Sequence, residues 1–303
     1  MASARSLDEL RDAVRLHPDD VARALRYGAA LLAAESLPEA IAEFQRALRL
    51  DHENAAARLA LGRAWLAAGE PDKALEQFRR LTSVEGDIAR AEAMRALPRS
   101  DAGYVRHLFD QFASDYDTRM LCELGYRAPS ILRELMALVA AERDGLDILD
   151  LGCGTGLSGL AFKPLARTLD GIDLSPAMIA KARTRGVYGM LSVGDIETVA
   201  GNGTYDLLVA ADTLVYLGDL EKVFAAAARL LRPEGLFLFT VESMDGEGYE
   251  LGPKRRWRHS EAYLRAQAVQ AGFEVAGLLA CIPRHEAGMA VEGFATALQR
   301  GRR

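Results

Sequence analysis

Three glycines in five residues, Gly152-Cys153-Gly154-Thr155-Gly156, close an aliphatic run that begins at Asp147 and ends at Leu151. A run of this kind at strand length reads as a short buried strand, and alternating glycines mark backbone that must pass close to something else. From Leu157 onward the pattern reads as helix, so several free N–H groups point into the turn. Strand, bare turn and helix start together predict a nucleotide-type pocket.

Two cofactor classes could use it. The frame Gly154-Thr155-Gly156-Leu157-Ser158-Gly159 satisfies the dinucleotide pattern G-x-G-x-x-G, with Asp173 at the distance of a ribose-binding acid. Asp150 discriminates: a carboxylate two residues ahead of the first glycine would sit near a pyrophosphate and repel it. The same charge suits S-adenosylmethionine, which carries an ammonium and a sulfonium but no phosphate.

The stretch Asp150-Leu151-Gly152-Cys153-Gly154-Thr155-Gly156 resembles the first motif of class I S-adenosylmethionine-dependent methyltransferases, and three further segments follow in that family's order. The segment 168–175 resembles the second strand, with Asp173 placed to take both ribose hydroxyls. Val193-Gly194-Asp195-Ile196 resembles the third strand end, where Asp195 accepts from the adenine amino group and the Ile196 N–H meets the ring. Residues 205–212 resemble the fourth strand, leading to the acceptor side. The resemblance spans roughly 104 to 300 and implies a Rossmann-like, seven-stranded α/β domain. It assigns the cofactor to Tyr116, Asp150, Gly152, Gly154, Gly156, Asp173, Leu174, Met178, Asp195, Ile196 and Ala211, with S-adenosylhomocysteine as product.

Upstream, a 34-residue period relates Gly28 to Gly62, Ala40 to Ala74 and Phe44 to Phe78. These residues resemble tetratricopeptide repeats, in which small residues allow two helices to cross and an aromatic fills the gap. One unit runs from about Ala22 to Leu50 and a second from about Asn54 to Val84, with a lone helix Leu7 to Leu16 before them and a capping helix Asp87 to Leu97 after. So short an array offers a groove for a partner peptide, or serves self-association or packing. The expected division is an all-α repeat domain over 1–98, a linker with lid helices over 99–145, and the methyltransferase core over 146–303.

The linker Leu97-Pro98-Arg99-Ser100-Asp101-Ala102-Gly103 breaks helical pattern. Beyond it Phe109, Phe112 and Tyr116 share one helix face. Their segment resembles the F-x-x-x-A-x-x-Y-D element that folds over the cofactor as a lid, with Tyr116 near the methyl group. A helix from Pro129 to Glu142, with Ile131, Leu132, Leu135 and Leu138 as its apolar face, leads into the glycine-turn strand. Strands and helices then alternate, which predicts a mostly parallel sheet with ligands beyond its carboxyl edge. Arg232-Pro233-Glu234-Gly235 resembles the turn before the family's fifth strand, with glutamate in place of a glycine.

Residues 248–260 read as a loop at that edge. Its cations Lys254, Arg255, Arg256 and Arg258 are either a solvated surface or, through Arg256 and His259, a contact for an anionic acceptor. A proton-bearing acceptor calls for a base, and His259, Asp212 and His285 are available, with Tyr216 to orient the acceptor. After strand four the chain reads Ala211-Asp212-Thr213-Leu214, without the N/D-P-P-Y signature of enzymes that methylate planar amide or base nitrogens. The leading expectation is therefore a small-molecule methyltransferase. A repeat-guided protein methyltransferase and a non-catalytic scaffold are the alternatives.

The 303 residues carry a net charge of −6, whereas nucleic-acid binding normally needs a concentrated basic face, so no nucleic-acid partner is expected. No apolar run approaches a membrane span, and Met1 to Arg5 lead into charged helix, so a cytoplasmic chain is expected. Cys122, Cys153 and Cys281 are too scattered for a disulfide framework or a metal site, and Cys153 fits the turn as a small side chain better than as a nucleophile.

Overall fold

The computed structural model describes residues 6–34, 36–140, 144–201, 204–252 and 255–302. The stretch Met1 to Arg5, the expected helix end at Glu142, and Pro253 and Lys254 of the basic loop lie outside the described residues. The chain divides into two compact units, 1–97 and 98–303.

The first unit is six helices: α1 Leu7–Leu16, α2 Val21–Ala33, α3 Leu37–Leu50, α4 Ala55–Ala67, α5 Pro71–Phe78 and α6 Glu85–Ala96. Ser6 and Glu9 close a reciprocal capping box at the start of α1, and Asp20 and Asn54 cap α2 and α4. The period of 34 has a steric origin. A β-carbon on Gly28 would lie 2.6 Å from the Phe44 ring, and one on Gly62 would lie 2.3 Å from the Phe78 ring. The two glycines are therefore the holes into which the fully buried aromatics fit.

This geometry predicts opposite signs for one substitution. Gly62→Ala should lower stability by about 1–3 kcal/mol through overpacking, outweighing the gain in helix propensity. Gly86→Ala in α6, where no atom lies within 4 Å of the added carbon, should raise stability by up to ~1 kcal/mol. Thermal unfolding of the two variants checks this, and equal shifts would contradict it.

The second unit opens with α7 Ala102–Phe112, a single turn α8 Tyr116–Thr118 and α9 Ala128–Val139. Then follow β1 Leu146–Leu151, α10 Leu157–Phe162, β2 Ala166–Asp173, α11 Pro176–Arg185, β3 Met190–Val193 and β4 Tyr205–Ala210. The remainder is α12 Glu221–Leu230, β5 Leu231–Ser243, β6 Tyr249–Leu251, β7 Trp257–His259, α13 Glu261–Gln270, β8 Phe273–Glu286 and β9 Met289–Arg300. The strands β3-β2-β1-β4-β5 are parallel, β9 runs antiparallel against β5, and β8 against β9. Those seven strands are the expected sheet.

Two additions correct the expectation. The segment read as a loop forms the β6–β7 hairpin, and β7 pairs with Glu242 and Ser243 at the end of β5, giving nine strands. Leu138, expected on the buried face of α9, is 75% exposed. The buried stripe runs through Ala128, Leu132, Leu135 and Met136, and Leu138 stands two residues beyond Met136, on the far side of the helix.

Alternation along the strands feeds two cores. Leu149 and Leu151 of β1, Leu208 and Ala210 of β4, and Phe237 and Phe239 of β5 join Phe224 and Leu264 on one face. Ile148, Leu207, Val209, Leu236 and Leu238 face Leu132, Leu135 and Phe162 on the other. A sheet covered on both sides leaves its carboxyl edge as the place for a ligand. Among the described residues no helix is long and apolar enough to cross a membrane, and no group of His, Cys, Asp and Glu could hold a metal ion.

Candidate functional site

A cleft lies at that edge, walled by residues from the ends of β1, β2 and β4 and from the helical segment before β1. Its floor is the glycine turn. Gly152, Gly154 and Gly156 all have positive φ, at 72°, 53° and 96°. A β-carbon on Gly152 would stand 2.3 Å from Thr213 Cγ2, so the first glycine is demanded by close approach as well as by backbone. The N–H groups of Gly152 and Cys153 donate to the Ile172 carbonyl at 2.8 and 3.0 Å, tying the turn to β2.

Asp173 anchors the next strand end. Its Oδ2 accepts from the Gly154 N–H at 2.9 Å and its Oδ1 from the Ser175 N–H at 2.8 Å, while the side chain faces the cleft. Burial pushes this carboxyl upward, against those two backbone donors. Asp195 and Ile196 line the cleft beyond β3, and Leu174 and Ala211 complete its apolar wall. Arg99 also lines it. Its guanidinium pairs with Asp195 at 2.9 Å and with Glu197.

The helical segment before β1 borders the cleft. Tyr116, Phe109 and Val105 line it. Asp110 accepts from Ser175 Oγ at 2.5 Å and from the Ala177 N–H at 3.2 Å, while Asp117 accepts from Thr155 Oγ1 at 2.5 Å and pairs with Arg185. Both ends of the segment are thus tied to the turn and to α11. Phe112 departs from the stripe, because the helix ends at that residue. Its ring lies under the Arg119 guanidinium, 4.5 Å away.

Past the end of β4, Asp212, Thr213, Tyr216 and Leu217 line the cleft. Asp212 has φ of 59°, its N–H donates to Thr240 Oγ1 at 2.8 Å, and its Oδ1 pairs with Arg284. Burial raises the Asp212 carboxyl, opposed by Arg284 and Arg256. The Tyr216 ring meets Phe109 edge-on, with centroids 5.5 Å apart.

Several expected site residues lie elsewhere. Asp150 is buried beneath the turn, where its Oδ2 accepts from Ser158 Oγ at 2.5 Å and Tyr188 Oη at 2.6 Å; its Oδ1 is buried without a hydrogen-bond partner. Gly156 caps α10, with Arg185 and Tyr188 against its open side. Met178 is fully buried in α11 and off the cleft wall. Arg256 pairs with Glu242 at 2.7 Å and with Glu286, and it faces a separate cavity beside Met289 and Val291.

His259 is buried, with Nε2 against the Gly218 carbonyl at 3.0 Å and its ring stacked on Tyr263. Burial pulls it down to about 4, so it is neutral near pH 7. It pins the hairpin to the loop after β4 and does not reach the cleft. His285 is exposed on β8 and also lies off the cleft wall. Burial pushes the Cys153 thiol up, in keeping with a spacer in the turn.

A methyltransferase-domain family matches residues 148–235, and a tetratricopeptide-repeat family matches residues 31–97. The chain is 30% identical over 148 residues to malonyl-[acyl-carrier protein] O-methyltransferase of Geobacter sulfurreducens, covering 46% of this chain and 54% of that one. It is 33% identical over 161 residues to human methyltransferase-like protein 27, covering 51% of this chain and 64% of the relative. The chain thus spans less than two thirds of the length of each. Among solved structures, Burkholderia thailandensis 1,6-didemethyltoxoflavin-N1-methyltransferase, with bound S-adenosylhomocysteine, aligns over 65% of this chain and 87% of its own, at TM-score 0.52 and 18% identity. That likeness is one of fold.

Proposed function

We propose that this chain, which matches a methyltransferase-domain family over residues 148–235 and a tetratricopeptide-repeat family over 31–97, is a class I S-adenosylmethionine-dependent methyltransferase that transfers the methyl group of that cofactor to a small-molecule acceptor. The observation that carries the reading is the cleft at the ends of β1, β2 and β3, where glycine backbone at Gly152 and Gly154 meets the carboxylates Asp173 and Asp195. Bare backbone admits the ligand closely, and the acids favour hydroxyl and amino donors over phosphate. The Asp150 carboxyl lies beneath the turn and off the cleft wall, so in this reading it acts on the ligand's ammonium through its charge and not by direct contact.

The bound cofactor supplies a methyl group on a sulfonium, a leaving group that departs neutral. What this chain must add is alignment and exclusion of water. Tyr116, Phe109 and Val105 roof the cleft, and Asp110 and Asp117 hold that roof shut. In our reading Asp173 takes the ribose hydroxyls, Asp195 and Ile196 the adenine, and Leu174 and Ala211 the apolar faces. Tyr216 and Asp212 face the acceptor, Tyr216 orienting it and Asp212 taking its proton where it carries one. Arg256 and His259 leave the acceptor assignment, and with them goes the ground for an anionic acceptor. The repeats, in this reading, dock a protein partner or a second copy of the chain.

Binding should depend on pH. Burial raises the Asp150 carboxyl to about 6, with Tyr188, Ser158, Cys153 and Asp173 as its polar surroundings. A raised carboxyl favours the fold while protonated, so its contribution is full below the unfolded value and fades as pH rises through about 6. An ammonium bound above the turn favours the ionised form through its field. Affinity for S-adenosylhomocysteine should therefore fall by up to about tenfold per pH unit below pH 6, and Asp150→Asn should flatten that slope. Calorimetric titration across pH 5–8 checks it; a slope retained in the variant would contradict it.

A further inference from the structure

The acceptor side of the cleft carries an aromatic corner beside an acid. Phe109 stands edge-on to Tyr216 at 5.5 Å and 85°, and to Tyr116 at 6.1 Å and 68°, the mutual angles of adjoining walls. All three rings and Asp212 line the same space. Asp212 lies close enough to both phenols that its charge opposes their ionisation.

The charge balance behind Asp212 matters. Arg284, only 2% exposed, pairs with Asp212, Glu242 and Glu286, and Arg256 pairs with the last two. Arg258 also approaches Glu242, at 4.0 Å, and Asp212 shares the Arg284 guanidinium with Glu242 and Glu286, so that one cation is divided among three carboxylates. Among the described lining residues the one cation, Arg99, is taken by Asp195 and Glu197. An anionic acceptor would enter a space holding Asp173, Asp195 and Asp212 with no uncommitted counter-charge.

Resting on the methyl-transfer reading, we infer that the acceptor is an organic amine, whose methylated ammonium product is held by the rings of Phe109, Tyr116 and Tyr216 and by the Asp212 carboxylate. Aromatic walls and a nearby acid attract a cation and do nothing for an anion. Transfer to a neutral amine forms one N–C bond and breaks one S–C bond. The S–C electron pair stays on sulfur, leaving a neutral thioether, and the positive charge passes to nitrogen. The charge inside the cleft is unchanged by the reaction, and a proton on that nitrogen leaves afterwards through Asp212 to water.

The test uses three probes that share a trimethyl head and differ in charge, namely tetramethylammonium, tert-butanol and pivalate, titrated by NMR into the full chain saturated with S-adenosylhomocysteine. The expected order is cation, neutral, anion, with at least about tenfold between cation and neutral probe. Asp212→Asn should reduce that ratio to below about threefold while S-adenosylhomocysteine still binds, since asparagine tolerates the left-handed backbone at this position. Tyr216→Leu should reduce it independently of the charge.

Equal or tighter binding of pivalate overturns the inference, as does an unchanged ratio in both variants. Failure of tetramethylammonium to bind the complex also overturns it, because the corner then serves the donor's sulfonium alone. Failure of S-adenosylhomocysteine itself to bind sinks the methyl-transfer reading, and the inference with it.

Discussion

Asp173→Ala is expected to weaken S-adenosylhomocysteine binding by at least about 100-fold. The carboxylate has two duties that a methyl group cannot perform. It holds the Gly154 and Ser175 N–H groups at 2.9 and 2.8 Å, and so fixes the glycine turn against the start of α11. It also presents its charge to the cleft, where our reading places the ribose hydroxyls. Hydrogen bonds to a charged group contribute about 1.5–3 kcal/mol each, so losing two accounts for a factor of ~100 or more. Asp173→Asn keeps one acceptor oxygen and should fall between wild type and alanine. Titration calorimetry on the folded variants measures this directly. Wild-type affinity in Asp173→Ala would remove the strand-end acid from the site.

The largest stability effect is expected at Arg284. Replacing it with methionine keeps most of the volume but takes from Asp212 the guanidinium it pairs with, and leaves Glu242 to Arg256 and Arg258. Burial alone would lower the Arg284 pKa, and the three carboxylates outweigh it and push it up, so the folded state holds this charge firmly. Breaking a buried pair from one side costs about 3–5 kcal/mol, a large share of the ~5–15 kcal/mol by which a domain is stable. Adding Glu242→Gln to Arg284→Met should recover part of the loss, because one of the three carboxylates is then removed. Urea unfolding of the single and double variants checks both statements. A single-variant loss below about 1 kcal/mol would mean that the cluster is hydrated and not a buried network.

The parts of the fold that sequence pattern carried were those with local causes. The glycine turn and the 34-residue spacing of glycine and phenylalanine each reflect contacts within a few residues or one repeat, and each stands where it was expected. The strand-end carboxylates Asp173 and Asp195 came with them, because residues at strand ends share one edge.

Long-range pairing was not legible. Arg99 meets Asp195 and Glu197 across about a hundred positions of sequence, and nothing near Arg99 declares it. Arg256 and His259 looked available in a basic loop. A hairpin formed there instead, turning one onto Glu242 and Glu286 and burying the other. Arg284 sits in a strand that gave no sign of a buried cation, since its partners come from β4's end, β5 and its own strand. Phe109 did carry a signal, the stripe it forms with Tyr116. That stripe located the segment but could not say which of its rings would face the cleft.

The central claim is that glycine backbone and strand-end acids form a pocket for an adenosine bearing a cationic methionine tail, and not for a dinucleotide. Titrating the full chain with S-adenosylhomocysteine and separately with NADH tests it most directly. The account predicts saturable one-to-one binding of the first and no saturable heat for the second. Saturable binding of NADH with none of S-adenosylhomocysteine would contradict it.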